Sequence, residues 1–330
     1  MKIFVFEYVT GGGCAGLPLP DYVGDGELMW RALVRDLTAL PGIEVITLRD
    51  ARLAVPSRPG FEVVGTDAAR FHDDFAHCLA EADAVLPVAP ESDGLLEGIG
   101  RRVLAAGKRL LGCHPDAVRV AASKLATWRQ LTGTGLRLPR VYLAPGLMTD
   151  DRPVVAKPDD GAGCQDTLWF PDPDAATAWA ARQPAGSFIY QYQVPGAALS
   201  LAMLCCRGRA QLLAVNRQHV AVLAGRFQAT GVTVNALPDP EGAYQRIAAA
   251  VAESLPDLWG YVGVDLVAAA DGPRIIEINP RITLSYAGLA EATASNPAAR
   301  ILALPAFSPC RGRRAVDLLG HPSSPERVAA

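Results

Sequence analysis

The chain has 330 residues, half of them apolar, a net charge of −3 and a pI of about 6.0. That length allows a substantial core in two or three subdomains, and a near-neutral chain with singly scattered arginines excludes the basic stripe of a nucleic-acid binder. Seven cysteines without a C-x-x-C pair or zinc-type spacing, and a longest apolar run (197–206) too short to cross a bilayer, fit a cytoplasmic protein with small-molecule partners.

Residues 2–7 read as a buried strand; Glu7 inside this short apolar run argues against a signal peptide. Gly11-Gly12-Gly13 breaks the chain, and a helix is expected over 27–40, a strand over 42–48, a helix over 71–82, a strand over 84–88 and a helix over 95–106 leading to 109–112. Such alternation predicts an N-terminal doubly wound parallel sheet over 1–115. Ligands in these folds gather at the carboxyl ends of the strands, which makes Glu7 and Glu91 candidate substrate contacts. The three glycines do not form a G-x-G-x-x-G fingerprint, so no dinucleotide site is read there.

From residue 116 the pattern changes to a small α+β unit. Ser123 is placed to cap a helix through Leu131, a strand is expected over 140–143, and strands over 154–157 and 167–170 flank a glycine-rich loop as a hairpin, with a short helix over 175–181. A strand at 187–191 runs into Tyr192-Gln193-Val194-Pro195-Gly196. Strands over 199–205 and 210–216, turned by Arg207-Gly208-Arg209, form an antiparallel pair, and a helix over 241–255 precedes two more strands, Tyr261 to Asp265 and Ile275 to Asn279. The stretch from Phe307, rich in Pro, Ser and Arg, is expected to be partly mobile.

The chemistry concentrates in those last two strands. A side-chain period of two puts Glu277 and Asn279 on one face, and with Asp265 on the neighbouring strand they offer hard oxygen ligands. Mg²⁺ favours one or two carboxylates plus substrate phosphates over an all-protein cage. Only four lysines occur, Lys2, Lys108, Lys124 and Lys157, and the last two stand in motif-like settings. Lys157 ends an apolar strand just before the loop Gly161-Ala162-Gly163, where small residues let backbone N–H groups approach phosphate oxygens. Cys164 in that loop is read as a small residue, since no histidine or second cysteine lies close in sequence.

In order, Ser123-Lys124, Val155-Ala156-Lys157-Pro158, the glycine loop, Gln191-Tyr192-Gln193-Val194-Pro195-Gly196, Gly263-Val264-Asp265 and Glu277-Ile278-Asn279-Pro280-Arg281 resemble the motif series of the ATP-grasp carboxylate–amine ligases. The likeness covers roughly residues 85 to 295. Within that superfamily Phe6-Glu7-Tyr8, Pro90-Glu91-Ser92-Asp93-Gly94, Lys157-Pro158-Asp159-Asp160-Gly161 and Asn216-Arg217-Gln218 look most like the tyramine–glutamate ligases of methanofuran and methylofuran biosynthesis.

The resemblance implies a nucleotide clasped between two α+β lobes, 116–190 and 191–306, behind the parallel-sheet domain. It implies Lys124 and Lys157 on the phosphates, Gly161 and Gly163 closing over them, and adenine near Gln191, Tyr192 and Val194. Asp265, Glu277 and Asn279 would hold Mg²⁺, for which Mn²⁺ can substitute, with Arg281 and Lys157 as catalytic residues on the transferred phosphoryl group. Substrates would meet Glu7, Glu91, Asn216 and Arg217. One departure stands out: Ala197, Ala198 and Ser200 occupy the place where many members carry an acid for the ribose hydroxyls, which leaves the ribose contact unassigned. The implied reaction is ATP-dependent amide formation through an acyl phosphate. A different amino-acid ligase or a non-catalytic nucleotide sensor on the same fold are the alternatives, although a sensor needs no complete metal set. A homodimer is the commonest assembly for a soluble enzyme of this kind.

Overall fold

The structure, a computed structural model, describes residues 1–55, 60–161, 163–184, 186 and 188–304, and the backbone of 316–319. Strands β1 (Lys2–Glu7), β2 (Glu44–Asp50), β3 (Glu62–Thr66), β4 (Ala84–Val88) and β5 (Arg109–Leu110) form one sheet in the order β3-β2-β1-β4-β5, parallel throughout. Alternate residues of β1 serve two cores, as expected of a strand buried on both faces. Phe4 and Phe6 pack with helices α2 (Phe71–Glu81) and α3 (Leu95–Ala105), whereas Ile3 and Val5 pack with α1 (Val23–Thr38). The doubly wound parallel sheet expected from the alternation is therefore present.

Two local expectations change. The first helix begins at Val23, four residues early, because its first turn is laid against β1: a Cβ on Gly26 would stand 2.8 Å from Glu7 Oε2. Strand β3 was not expected, since Glu62-Val-Val-Gly-Thr66 is short and carries a glycine, and it is completed by parallel pairing to β2.

Helices α4 (Pro115–Ala122) and α5 (Lys124–Leu131) follow, and Ser123 Oγ accepts from Ala126 N–H (3.0 Å), the expected cap. Strands β6 (Val154–Pro158), β7 (Leu168–Phe170), β8 (Phe188–Tyr192), β9 (Ala197–Cys206), β10 (Arg209–Leu223), β11 (Arg226–Leu237), β12 (Gly260–Ala269), β13 (Gly272–Asn279) and β14 (Val316–Leu319) build a second sheet, β13-β12-β9-β10-β11-β7-β6-β8, with β14 beside β11. Every pairing in it is antiparallel. Helices α6 (Pro173–Ala180), α7 (Ala243–Ser254), α8 (Tyr286–Thr293) and α9 (Pro297–Leu302) complete it.

Residues 140–143 are not a strand; Tyr142 makes a single bridge to Tyr190. Strands β10 and β11 run well beyond residue 216 as one long hairpin. The expectation for 307–330 falls outside the described residues, apart from β14. Among the described residues no helix is long and apolar enough to cross a membrane.

Candidate active site

The sheet register assembles the site. Cross-strand partners in an antiparallel sheet share a face, and one row runs Asn216 to Ser200, Ser200 to Asp265, and Asp265 to Glu277 across β10, β9, β12 and β13. Asn279 lies two residues beyond Glu277, opposite Gly263. That position must be glycine, because a Cβ there would stand 2.8 Å from Thr283 Cγ2. A bulge between Asp265 and Leu266 kinks the ladder beside the two acids.

Lysines reach this row from helix α5 and strand β6. Lys124, first residue of α5, sets Nζ 3.4 Å from Glu277 Oε2 and donates to the Gly161 carbonyl at 2.6 Å. Its backbone is pinned by Asp159, whose carboxylate accepts from Ser123 Oγ (2.6 Å) and Leu125 N–H (2.8 Å). Lys157 is the last residue but one of β6, is only 5% exposed, and has Lys124, Glu277 and Asp265 as its charged neighbours. The Lys157 that the sequence places upstream thus stands in the same cluster as the acids.

Electrostatics bear the mark of a cation and phosphate site. Burial, reinforced by repulsion from Glu277, pushes the Asp265 carboxyl well above the usual range. Burial also acts to raise Glu277, but the charges of Lys124 and Lys157 outweigh it and hold that carboxyl low. Burial, with Lys124 beside it, lowers Lys157 to about 8. Two half-buried carboxylates and an amide on neighbouring strands fit a hard divalent ion, and two buried ammonium groups fit phosphate oxygens. Cys164 is pushed up to about 12 by burial and by both acids. It is therefore an inert thiol, in keeping with its reading as a small loop residue at a left-handed φ of 61°.

Arg281 turns toward the parallel-sheet domain. Its Nε donates to Glu91 Oε2 at 2.6 Å and its Nη2 to Oε1 at 3.4 Å, so the structure pairs two residues read separately as catalytic and substrate-binding. Glu7 lies at the end of the neighbouring strand β1, buried, with Oε2 accepting from Thr10 N–H (2.7 Å). Burial raises its carboxyl.

In the connecting segment Gln191 Nε2 donates to the Pro139 carbonyl (3.2 Å) and Tyr192 Oη accepts from Asp150 N–H (2.7 Å). Val194 is half-buried. Gly196 has φ 152°, and a Cβ there would run into the Ala268 carbonyl, so only glycine lets this segment cross β12. Of the glycine loop, Gly163 has φ 64° with open space around it, a left-handed position that a side chain would strain.

Two sequence expectations separate. Asn216 is fully buried and its amide is engaged by Ser200 Oγ (3.2 Å) and Asn235 N–H (3.0 Å), and Arg217 points to solvent. The residue of that motif which reaches the acids is Gln218, donating Nε2 to Asp265 Oδ1 at 2.9 Å. Period-two alternation from Asn216 could have signalled it. An open depression of about 400 Å³ between β10, β11 and α7 shares none of these charged residues.

The profile of the ATP-grasp domain matches residues 121–285, half of the chain, and that of the pre ATP-grasp 3 domain matches 43–118. A tyramine–L-glutamate ligase of Methanocaldococcus jannaschii is 26% identical over 290 residues, covering 87% of this chain and 84% of that protein. Among solved structures, an ATP-grasp superfamily protein from Archaeoglobus fulgidus superposes with a TM-score of 0.73 at 22% identity, over 96% of this chain and 91% of that one. The biotin carboxylase domain of Hydrogenobacter thermophilus 2-oxoglutarate carboxylase, solved with MgADP and bicarbonate, superposes with a TM-score of 0.72 at 14% identity, over 94% and 71%.

Proposed function

The chain belongs to the ATP-grasp family and is an ATP-dependent carboxylate–amine ligase; from that premise we propose that it joins L-glutamate to tyramine, or to a closely tyrosine-like amine, in the making of a methanofuran-type cofactor. The observation that carries this reading is the convergence of Asp265 and Glu277 on β12 and β13 with Lys124 of α5 and Lys157 of β6. It is supported by the tyramine–L-glutamate ligase relative, aligned over most of both chains. We divide the chain into a domain of 1–115, lobes of 116–190 and 191–306 and a tail of 307–330, with the nucleotide between the lobes.

An amine cannot displace oxygen from a carboxylate directly, because oxide is a poor leaving group. Attack of the substrate carboxylate on the γ-phosphorus of ATP breaks the β–γ bridge, releases ADP and leaves an acyl phosphate. The amine nitrogen then forms the amide bond, phosphate leaves, and the nitrogen loses a proton. No covalent nucleophile from the protein is required, only positioning and charge neutralisation. Lys124 and Lys157 hold phosphate oxygens, Arg281 meets the transferring phosphoryl group, and Gly161 and Gly163 let the loop lie over them and exclude water. Asp265, Glu277 and the Asn279 amide would hold Mg²⁺, which when bound supplies Lewis-acid charge neutralisation to the β- and γ-phosphates. Gln191, Tyr192 and Val194 line the adenine side. Glu7, buried and met by neutral donors, is the acid offered to a substrate ammonium.

The test is ADP release by the full chain with MgATP, L-glutamate and tyramine, and mass spectrometry of the product. An amide with loss of one water is expected. ATP turnover that yields a phosphorylated acid and no amide, or none with any amino acid and amine pair screened, overturns the reading.

A further inference from the structure

We propose that Glu91 is the positioning residue of Arg281: it grips the guanidinium by its Nε/Nη2 edge and so presents the Nη1/Nη2 end to the transferring phosphoryl group. The inference rests on the ligase reading above for what Arg281 does, and goes beyond it in removing Glu91 from the substrate pocket.

A guanidinium carries five N–H bonds in a fixed plane. In Arg281 the Nε–H and one Nη2–H go to Glu91, and one Nη1–H goes to the Ile282 carbonyl at 3.3 Å. One N–H on each Nη then remains without a partner among the described residues, and Glu91 leaves the end edge between Nη1 and Nη2 free of its own oxygens. Arg281 follows Asn279 by two residues, its N–H donating to the Asn279 carbonyl at 2.8 Å, so its backbone starts beside the row of Asp265 and Glu277. An arginine free to rotate would fold onto those acids. A fork held on a buried carboxylate cannot, because its plane is set by two parallel hydrogen bonds.

Glu91 is itself held. Its side chain is 4% exposed, and it begins a loop whose next residues turn through the left-handed region at Asp93 (φ 55°) and Gly94 (φ 66°). Asp93 N–H donates to Asp160 Oδ2 at 3.1 Å, at the root of the glycine loop. One short loop of the parallel-sheet domain therefore touches both the loop root and the arginine, 190 residues apart in sequence from Glu91. A substrate ammonium would have to compete with Arg281 for both Glu91 oxygens, whereas Glu7 faces neutral donors.

The decisive experiment separates phosphoryl transfer from amine binding. With MgATP, L-glutamate and hydroxylamine, the acyl phosphate is trapped as a hydroxamate without the amine substrate. Glu91→Gln, which keeps shape and loses charge, is expected to slow hydroxamate formation about 100-fold, the cost of a misplaced catalytic group, with KM for tyramine unchanged. Glu91→Gln combined with Arg281→Ala should be no slower than Arg281→Ala alone. A wild-type hydroxamate rate in Glu91→Gln, or a double variant in which the two losses multiply, overturns the proposal. So does a tenfold rise in tyramine KM at unchanged kcat.

Thermal melts control for folding, and Glu91→Asp, which withdraws the charge by one methylene, replaces Glu91→Gln should the latter unfold. If the wild-type chain forms no hydroxamate, the ligase reading fails on its substrates, and calorimetry decides the positioning role by itself. Glu91→Gln and Arg281→Ala must then weaken MgAMP-PNP by the same factor and leave MgADP untouched; unequal or absent effects overturn it.

Discussion

Each sheet of this protein withdraws carboxylates from solvent, at or just past the strand ends in the parallel sheet and within paired strands in the antiparallel one, and the two sets differ in what satisfies them. In the parallel sheet, Glu91 is matched by the charge of Arg281, whereas Glu7 accepts from the neutral Thr10 N–H and its carboxyl is raised by burial. In the antiparallel sheet, Asp265 and Glu277 face one another across β12 and β13, with Asp265 forced well above the normal carboxyl range by burial and by its neighbour. Burial of a matched charge organises structure. Burial of two like charges is tolerated where a ligand of opposite sign completes them.

The sharpest way to break this contrast is to remove the acids. Asp265→Ala or Glu277→Ala should lower kcat by about 1000-fold, the scale of lost charge stabilisation in a transition state, whereas Asp265→Asn should keep or raise the melting temperature because it relieves repulsion. A fall in the melting temperature of Asp265→Asn would erase the distinction. Next in size, Glu91→Ala leaves a buried guanidinium without its partner and should cost about 3 kcal/mol of stability by denaturant unfolding. A loss under 1 kcal/mol would place that pair among ordinary surface bridges. Gln218→Ala removes the donor that orients Asp265 and should weaken the Mg²⁺ dependence of turnover by about tenfold, read from a metal titration of kcat/KM. An unchanged titration would make Gln218 a bystander.

The smallest effect concerns Lys157, and it carries two opposite signs. Its folded value of about 8 lies below the 10.5 of an ordinary lysine. Between those values the unfolded chain holds a proton that the folded chain lacks, so stability rises with pH through that window. ATP affinity moves the other way, falling as pH climbs past about 8, because a neutral amine holds phosphate poorly. Denaturant midpoints and ATP KM measured between pH 7 and 10 test both: the two should rise together, and a KM that stays flat or falls while the midpoint rises would rule out Lys157 as the buried phosphate cation.

Much of the fold is local and therefore legible: the apolar runs of β1 and β4, the periodicity of α3, the Ser123 cap and the glycine-flanking hairpin all follow from neighbours within a few residues. Strand β3 and the outer halves of β10 and β11 were not, because their sequences are short or polar and only pairing completes them. The same limit separates Gln218 from Asn216 and Arg217. All three sit in one tripeptide, and which of them meets Asp265 depends on a strand 47 positions away.

Residue chemistry alone determined that two acids, an amide, an arginine and two scarce lysines recur on strand ends and loop edges in the order of a nucleotide-dependent ligase, because periodicity, glycine placement and charge type are properties of short segments. Tertiary structure decided which charges see each other: that Glu277 answers to Lys124, and that Arg281 answers to Glu91 rather than to the neighbouring acids. The physical reason is that the strength of a charge–charge interaction depends on separation and on exclusion of water, and both are set by sheet register and domain packing over distances in sequence that no local pattern spans.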